Sequence, residues 1–260
     1  MNAEFNNYLK KCKQPSFLIS AISSLSVKIA WFFLVKATRG NSHIFLPESV
    51  RLQKNKFLSI SVPIPVDKVY GGPVSECRMV LTGRTFLFNT SDDWNKDFQD
   101  EEVTTSLHRW KWLMESLANP EYSIDCDVAL NLMRSWIENC MKDARYSSDA
   151  YSVGERIVNA GIYLYFRNGG NIPEDIKAAI GVMGGQVATH LEYYRPGQTG
   201  NHAFNNARAL LFTGVFASLP VAVDIAYAIA LERLPNLVSE DGFMREGSSH
   251  YHFLFTRWVL

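Results

Sequence analysis

The stretch GNHAFNNARALLFTGVF, residues 200–216, has the apolar spacing of an amphipathic helix. Its apolar stripe, which we expect to face a core, consists of Ala203, Ala207, Leu210, Leu211 and Gly214. Polar side chains share another face, because His202, Asn205 and Asn206 follow at i, i+3 and i+4. Spacing alone also allows a plain structural interpretation, in which Asn201 is a helix N-cap and His202 a first-turn residue.

The same three- and four-residue apolar period continues over most of the chain from about Val103 onward. It predicts helices over residues 104–117, 127–143, 150–167, 174–193, 202–216, 221–234 and 248–260. The connections are short and contain Gly, Pro, Asn and Asp, so successive helices should run antiparallel. No sequence motif repeats at a fixed period, which argues against a consensus-repeat solenoid. The prediction is a mainly α fold of helical hairpins.

The residues before this helical region have a different pattern. Two β-type runs, FLSISVPIPV at 57–66 and GRTFLFNT at 83–90, are separated by proline and glycine residues. We therefore predict an N-terminal helix with an irregular, strand-containing lead-in over residues 1–92. The helical domain is predicted to occupy residues 93–260.

The most apolar stretch of the chain is SFLISAISSLSVKIAWFFLV, residues 16–35. Three interpretations compete for it: an amphipathic helix, a secretory signal and a membrane span. Lys28 interrupts the run at its middle, where a charge costs about 2.5–3.5 kcal/mol in a membrane. No clean small-residue cleavage site follows, so we favour an amphipathic helix over a secretory signal. An integral membrane protein is disfavoured, and cytoplasmic and periplasmic locations both stay open.

Charge and cysteine content exclude several classes of protein. Lys and Arg number 26, and Asp and Glu also number 26, so no net basic excess exists to attract nucleic acid. The four cysteines, Cys12, Cys77, Cys126 and Cys140, have no CxxC spacing and are interpreted as free thiols. We expect neither a metal nor a cofactor.

A second group of polar residues lies in EDGFMREGSSHYH, residues 240–252. The turn signal Asp241-Gly242 opens it. The functional side chains that follow are Arg245, Glu246, His250, Tyr251 and His252. The two histidines are i and i+2, so they point apart on a helix and do not form a helical zinc pair. The plain alternative is a packed tyrosine between exposed histidines.

Glu155 and Arg156 are expected to have mainly a structural role. They lie in the predicted helix 150–167, whose apolar residues Ile157, Ile162 and Leu164 suggest burial on more than one side. If Arg156 were instead open to a groove, binding of a substrate carboxylate would be the better interpretation.

Two of these stretches are similar to a known family. NHAFNNARALLFTGVF and DGFMREGSSHYHFL resemble signature stretches of the heparinase II/III-like polysaccharide lyases. YSVGERIVNAG at 151–161 resembles that family's Arg-Ile-x-Asn helix, and DWNKDFQDEEVTTSLHRWKWL at 93–113 resembles its toroid entry. The resemblance runs from about residue 84 to Leu260. It implies an incomplete α/α toroid of antiparallel helical hairpins.

The resemblance also implies an activity, the β-elimination of a uronic-acid-containing polysaccharide. Asn201 and His202 would contact the substrate carboxylate, and Tyr251 would be the general base, the general acid or both. Further substrate-binding residues would be His250, Arg245, Glu246 and Asn205. The implied partner is an acidic polysaccharide or oligosaccharide.

The chain departs from the family pattern in two respects. Many members read Glu-Arg-Ser-Pro before the Tyr-His pair, whereas this chain reads Glu246-Gly247-Ser248-Ser249. The family's C-terminal β-sandwich half, which supplies a further histidine, has no counterpart in these residues. Because the helix predicted over 248–260 has no stop signal, we expect a partial chain whose own activity is in doubt.

Two other functions stay open. A glycoside hydrolase on an α/α toroid would need two carboxylic residues, for which the candidates are Glu155, Asp241 and Glu246. A non-catalytic carbohydrate-binding or envelope polysaccharide assembly protein would keep the groove without a complete site. The pairing of an Asn-His dipeptide with a tyrosine suits elimination better than hydrolysis.

Overall fold

The computed structural model of the protein describes residues 46–59, 76–194 and 200–245, with 248, 249, 252, 253, 255 and 256 beyond them. Its helices are α1 Glu48–Leu58, α2 Glu101–His108, α3 Lys111–Ala118, α4 Cys126–Cys140, α5 Ala144–Ser147, α6 Ala150–Arg167, α7 Glu174–Thr189, α8 Asn201–Phe216 and α9 Pro220–Leu237. Two strands, β1 Cys77–Leu81 and β2 Arg84–Phe88, pair as an antiparallel hairpin. Short 3₁₀ helices cover Ser91–Asn95 and Pro120–Tyr122.

The described helices pack as successive hairpins around one large apolar cluster. Helix α8 packs against α6, α7 and α9, and α1 lies against α7 and α9. The prediction of a mainly α, incomplete α/α toroid with a strand-containing lead-in is confirmed for this part of the chain. The N-terminal helix predicted over residues 16–35 lies outside the described residues, and the boundary at 92/93 stays a prediction.

Most predicted helices lie where the apolar period indicated. Helix α6 has the predicted bounds, and α4, α8 and α9 begin or end close to theirs. Ser249, His252, Phe253, Phe255 and Thr256 also have helical backbone, in the range predicted as the last helix. None of the helices within the described ranges combines the length and apolar character needed to cross a membrane.

The single helix predicted over 104–117 is wrong, because the chain breaks into α2 and α3 at Arg109 and Trp110. Trp110 has a left-handed backbone with φ of 57°, which L residues adopt at a cost. Its ring is fully buried and meets the Trp136 ring edge-on, with 5.5 Å between centroids. Burial of the indole therefore offsets the strained backbone, and no glycine or proline marks the break.

Helix α6 satisfies the carbonyl groups that this break leaves without helical partners. The Nε of Arg156 donates to the carbonyl of His108 at 2.6 Å, and the amide of Asn159 donates to that of Arg109 at 2.8 Å. Arg156 is fully buried, and its guanidinium carbon lies 3.8 Å from the Trp136 ring centroid. The structural role predicted for Arg156 is supported by these contacts.

The β-type run predicted from Phe57 is wrong at its start. Phe57 and Leu58 are the last residues of α1, which buries Val50, Lys54 and Phe57 on one face at helical spacing. The run at 83–90 does contain a strand, β2. It pairs with β1 through a two-residue turn whose residues, Thr82 and Gly83, both have positive φ, as type I′ hairpins require.

Three of the cysteines lie within the described ranges, and all three are free thiols, as predicted. Burial raises the pKa of Cys77 to about 11 and that of Cys140 to about 12. Both thiols are therefore protonated and unreactive at neutral pH. Cys12 lies outside the described residues.

Candidate functional site

The candidate site begins at the N-terminus of α8. Gly200, with an extended backbone, is the N-cap, so Asn201 is the first helical residue rather than the cap considered above. Asn201 is buried, while the side chain of His202 is 52% exposed. The glycine cap places the amide and the imidazole of these two neighbours at the positive end of the helix dipole, where an anion is stabilised.

The polar face predicted for α8 divides into an exposed and a buried part. Asn205 and Asn206 are fully buried, unlike His202. Asn205 donates to the carbonyl of Tyr151 at 3.4 Å and accepts from Arg208 at 3.0 Å. In this structure Asn205 thus connects α8 to α6, and substrate binding by Asn205 stays a prediction.

Glu192 lies in the segment between α7 and α8 and contacts two residues of α8. One carboxylate oxygen, Oε1, lies 2.9 Å from Nδ1 of His202. The other, Oε2, accepts from the amide of Asn206 at 3.1 Å, and the backbone N–H of Glu192 donates to that amide's oxygen at 2.9 Å. This segment was predicted as the end of a helix over 174–193, but α7 ends at Thr189. Ending the helix early brings Glu192 to α8.

Tyr151, in the first turn of α6, lies on another side of His202. The two rings have centroids 4.6 Å apart, and the guanidinium carbon of Arg109 lies 4.7 Å from the Tyr151 ring. Burial, with a further contribution from the charge of Glu155, raises the pKa of Tyr151 to about 12. Tyr151 is therefore protonated at neutral pH and is a hydrogen-bond donor rather than a base.

An ion pair also joins α6 to α8. Arg208 Nη1 lies 3.0 Å from the Oε1 of Glu155, and each side chain is 13% exposed. The helices approach closely here, since a Cβ added at Gly154 would lie 3.1 Å from Cβ of Ala209. Glu155 is thus at the edge of the candidate site, whereas its neighbour Arg156 lies in the core.

A cavity of about 870 Å³ opens beside the ion pair, between α3, α6, α8 and α9. Its charged and polar lining includes Arg109, Lys111, Glu115, Tyr151, Glu155 and Arg208. Its apolar lining includes Phe204, Leu211, Tyr227, Leu231 and Leu234. The wall thus combines cationic groups with aromatic rings, the surface types that bind acidic sugars. Within the described ranges, no group of three or more His, Cys, Asp or Glu residues is placed to hold a metal ion.

The second predicted group of site residues is described only in part. Glu246, His250 and Tyr251 lie outside the described residues. Arg245 is exposed, and its backbone N–H donates to the carbonyl of Leu237 at 2.9 Å. Phe255 packs on Phe204 of α8, with ring centroids 4.8 Å apart. This contact brings Phe255 to the first turn of α8, and the position of Tyr251 stays a prediction.

Sequence reasoning missed four residues of this site: Arg109, Tyr151, Glu192 and Arg208. Arg109, Tyr151 and Glu192 belong to other elements than His202, so helical spacing does not connect them to it. Arg208 is on α8, but it lies six positions after His202. Arg109, Tyr151 and Arg208 do lie in the family-like stretches, which was the available signal, whereas Glu192 lies in none of them.

Comparison with known proteins gives a family match. Residues 78–259 match the family model described as Heparinase II/III N-terminus. No curated protein and no solved structure matches the chain. The match covers well over half of the 260 residues, which is enough to assign the family.

Proposed function

We propose that this chain, which belongs to the heparinase II/III family, acts in the β-elimination of a uronic-acid-containing polysaccharide. A base removes the proton at C5 of the uronate, and the electron pair forms the C4–C5 double bond. The bond between C4 and the glycosidic oxygen breaks, and that oxygen takes up a proton. The products are one new reducing end and one unsaturated uronate.

The observation that carries the proposal is the Asn201-His202 pair at the start of α8. Removal of the C5 proton places a second negative charge on the substrate carboxyl group, so donors must be in position before that charge develops. A buried amide, a half-exposed imidazole and a helix N-terminus provide such donors. In the proposed complex the carboxylate contacts Asn201 and His202, and the sugar chain extends along the cavity lined by Arg109 and Tyr151.

In the proposal the proton carrier is Tyr251, four residues before Phe255, whose ring packs on Phe204. Tyr151 is a poor alternative, because its pKa is raised to about 12 by burial. A tyrosine that exchanges protons near neutral pH needs cationic neighbours that lower its pKa. Arg245 and His250 are the candidates in the same segment.

Hydrolysis is less well supported than elimination. A hydrolase needs a carboxylic acid with a raised pKa opposite a second carboxylate. Asp241 is exposed, and its hydrogen bonds from the Ser239 hydroxyl and the Phe243 N–H lower its pKa. Glu155 is held in an ion pair with Arg208. The environment of Asp241 thus favours a carboxylate that stays ionised rather than a proton donor.

The first test measures elimination directly. The 260-residue chain, and any longer product of its reading frame, is mixed with heparin, alginate and hyaluronan, and ultraviolet absorbance of the conjugated double bond is followed. We expect absorbance with at least one polymer. Asn201→Ala should lower the rate roughly 10²–10³-fold, the scale of one lost oxyanion donor. His202→Ala removes the imidazole donor and should also lower the rate. Its matched control is His190→Ala, at the exposed end of α7, which should leave the rate unchanged.

The second test separates binding from chemistry at Tyr251. Tyr251→Phe removes one hydroxyl and keeps the ring, so it should abolish turnover while polymer binding stays nearly intact. Retention of near-normal product formation would exclude Tyr251 as the proton carrier. Binding without product by the unaltered protein, with every polymer, would instead favour a non-catalytic carbohydrate-binding protein.

A further inference from the structure

The contacts of Glu192 differ from those of an ordinary surface carboxylate. Its side chain is only 14% exposed, and three of its polar groups contact α8. These are Oε1 with His202, Oε2 with the Asn206 amide, and the backbone N–H with the oxygen of that same amide. We propose that Glu192 is a positioning residue that holds His202 in one tautomer and one ring orientation. The expected effect on catalysis rests on the proposed function. The assignment of the His202 tautomer does not depend on that function.

Hydrogen-bond chemistry determines which group donates in the contact between Glu192 and His202. A carboxylate at neutral pH only accepts hydrogen bonds, so the ring nitrogen 2.9 Å from Oε1 must carry the proton. Nδ1 of His202 is therefore the protonated nitrogen in both the neutral and the charged ring. Nε2 is then the nitrogen assigned to the substrate carboxylate, and it donates there when the ring is charged, because both ring nitrogens then carry protons. A ring of the opposite tautomer would set a lone pair against the carboxylate.

Asn206 fixes the position of Glu192 in turn. A backbone N–H only donates and a carboxylate only accepts, so a single orientation of the Asn206 amide satisfies both contacts. Asn206 is fully buried and follows His202 by four residues, one turn along α8. The Asn206 amide thus ties the loop residue Glu192 to the same helix face that carries His202.

Tyr151 restricts the imidazole from another side. Its ring centroid lies 4.6 Å from that of His202, and Arg109 stacks on Tyr151 at 4.7 Å. Among the residues that the structure describes, Glu192 from the interhelical segment and Tyr151 from α6 both contact the imidazole. Between them the half-exposed ring has a defined orientation before any substrate arrives, which lowers the reorganisation needed at the moment of reaction.

Glu192→Gln tests the proposal while nearly preserving volume. The glutamine amide has one oxygen for the two donors that the carboxylate served, and its NH₂ group faces either Nδ1 of His202 or the amide of Asn206. The readout is the tautomer of His202, measured by long-range proton–nitrogen NMR on histidine-labelled full-length chain. His202→Gln identifies the signal among the six histidines. We expect a protonated Nδ1 in the unaltered chain and loss of that preference in the variant.

Kinetics provide the second readout. On whichever polymer the chain cleaves, Glu192→Gln should lower kcat/KM by about 10- to 100-fold, the scale seen when a carboxylate that orients a metal-binding histidine is lost. The urea midpoint should move little. Glu192→Asp, which keeps the acceptor charge, should regain part of the activity. Glu232→Gln is the matched control, since Glu232 accepts from Tyr193 at 3.0 Å and does not contact His202.

The outcomes separate this inference from the proposed function. A His202 whose Nδ1 carries no proton in the unaltered chain, or a tautomer that Glu192→Gln leaves unchanged, would overturn the positioning role. Absence of cleavage of any uronate polymer would count against the lyase proposal, while the NMR result would still decide the role of Glu192. If Glu192→Gln does not fold, the spectra of the unaltered chain and of Glu192→Asp decide it.

Discussion

Glu155 and Arg156 are neighbours in the chain, yet they occupy opposite environments. Arg156 is fully buried, donates to the carbonyls of His108 and Tyr146, and stacks on Trp136. Glu155 lines the cavity and pairs with Arg208. Successive residues of a helix point about 100° apart, so a single step along α6 passes from the core to the candidate site. Charged residues of α6 therefore support the core on one face and line the candidate site on the other.

The comparison predicts which property a substitution changes. A change on the core face should lower stability, because it leaves buried backbone groups unsatisfied. A change on the cavity face should lower activity and cost little stability, because water and neighbouring polar groups replace the lost contacts.

Replacement of Arg156 should have the largest effect. Arg156→Leu leaves the carbonyls of His108 and Tyr146 without donors, at about 1–3 kcal/mol each, and the free energy of unfolding should fall by about 3–5 kcal/mol. Urea denaturation followed by tryptophan fluorescence measures this change. Lys111→Leu, at a cation that lines the cavity, is the control for the cavity face, and we expect a loss of at most about 0.5 kcal/mol. Equal losses in the free energy of unfolding for the two variants would mean that the two faces do not differ in their contribution to stability.

His108 should make the core face sensitive to acid. Burial, with opposing charge from Arg156 and Arg145, lowers the pKa of His108 to about 3, despite the favourable charge of Asp143. Its Nδ1 accepts from the Trp136 indole at 3.0 Å, which requires a neutral ring. The unfolded chain takes up a proton near pH 6.5, whereas the folded chain does so only near pH 3. Stability should therefore fall as the pH drops below about 6.5, by at most about 1.4 kcal/mol per pH unit.

The pH effect is measured as the urea midpoint between about pH 6.5 and 4.5, above the range in which carboxylates dominate. His108→Asn keeps an acceptor for the Trp136 indole and removes the titrating ring, so its stability should vary less with pH. His190→Asn, at an exposed position, should behave like the unaltered chain. A His108→Asn variant with the original pH slope would exclude His108 as the source.

Gly184 and Gly185 are neighbours in α7 that also face different environments, one packed and one open. A Cβ at Gly184 would meet the buried Thr213 side chain of α8, 2.7 Å from its Oγ1, whereas a Cβ at Gly185 would meet open space. Gly184→Ala should therefore cost about 1–3 kcal/mol through overpacking. Gly185→Ala should add about 0.5–1 kcal/mol through helix propensity. Thermal unfolding of both variants measures this, and a shift of the same sign in both would contradict the packing described for α7 and α8.

The helices of the fold could be predicted from the apolar period, and their exceptions have tertiary causes. Helix α6 has the predicted bounds because its sequence alternates core and solvent positions at helical spacing. The break at Trp110 carries no local signal, since it depends on an indole buried against Trp136. The early end of α7 depends on hydrogen bonds between Glu192 and Asn206, residues that belong to different elements.

The candidate site could be predicted at the first two residues of α8 and not at the residues that contact them. Asn201 and His202 were identified through the family resemblance, because helical spacing alone left a plain structural interpretation open. Glu192 and Tyr151 were not, because a contact across two elements has no fixed spacing in sequence. Tyr251, chosen through the family resemblance, stays a prediction.

The sequence by itself determined the helical class, most helix positions and the family, since these depend on local periodicity and on motifs read along the chain. Only the tertiary structure decided that Arg156 and Asn159 bind the carbonyls at the α2–α3 break and that Glu192 meets His202. The physical reason is that periodicity specifies which face of a helix is buried. It does not specify which group of another element a buried polar side chain will meet, because that depends on how the helices pack.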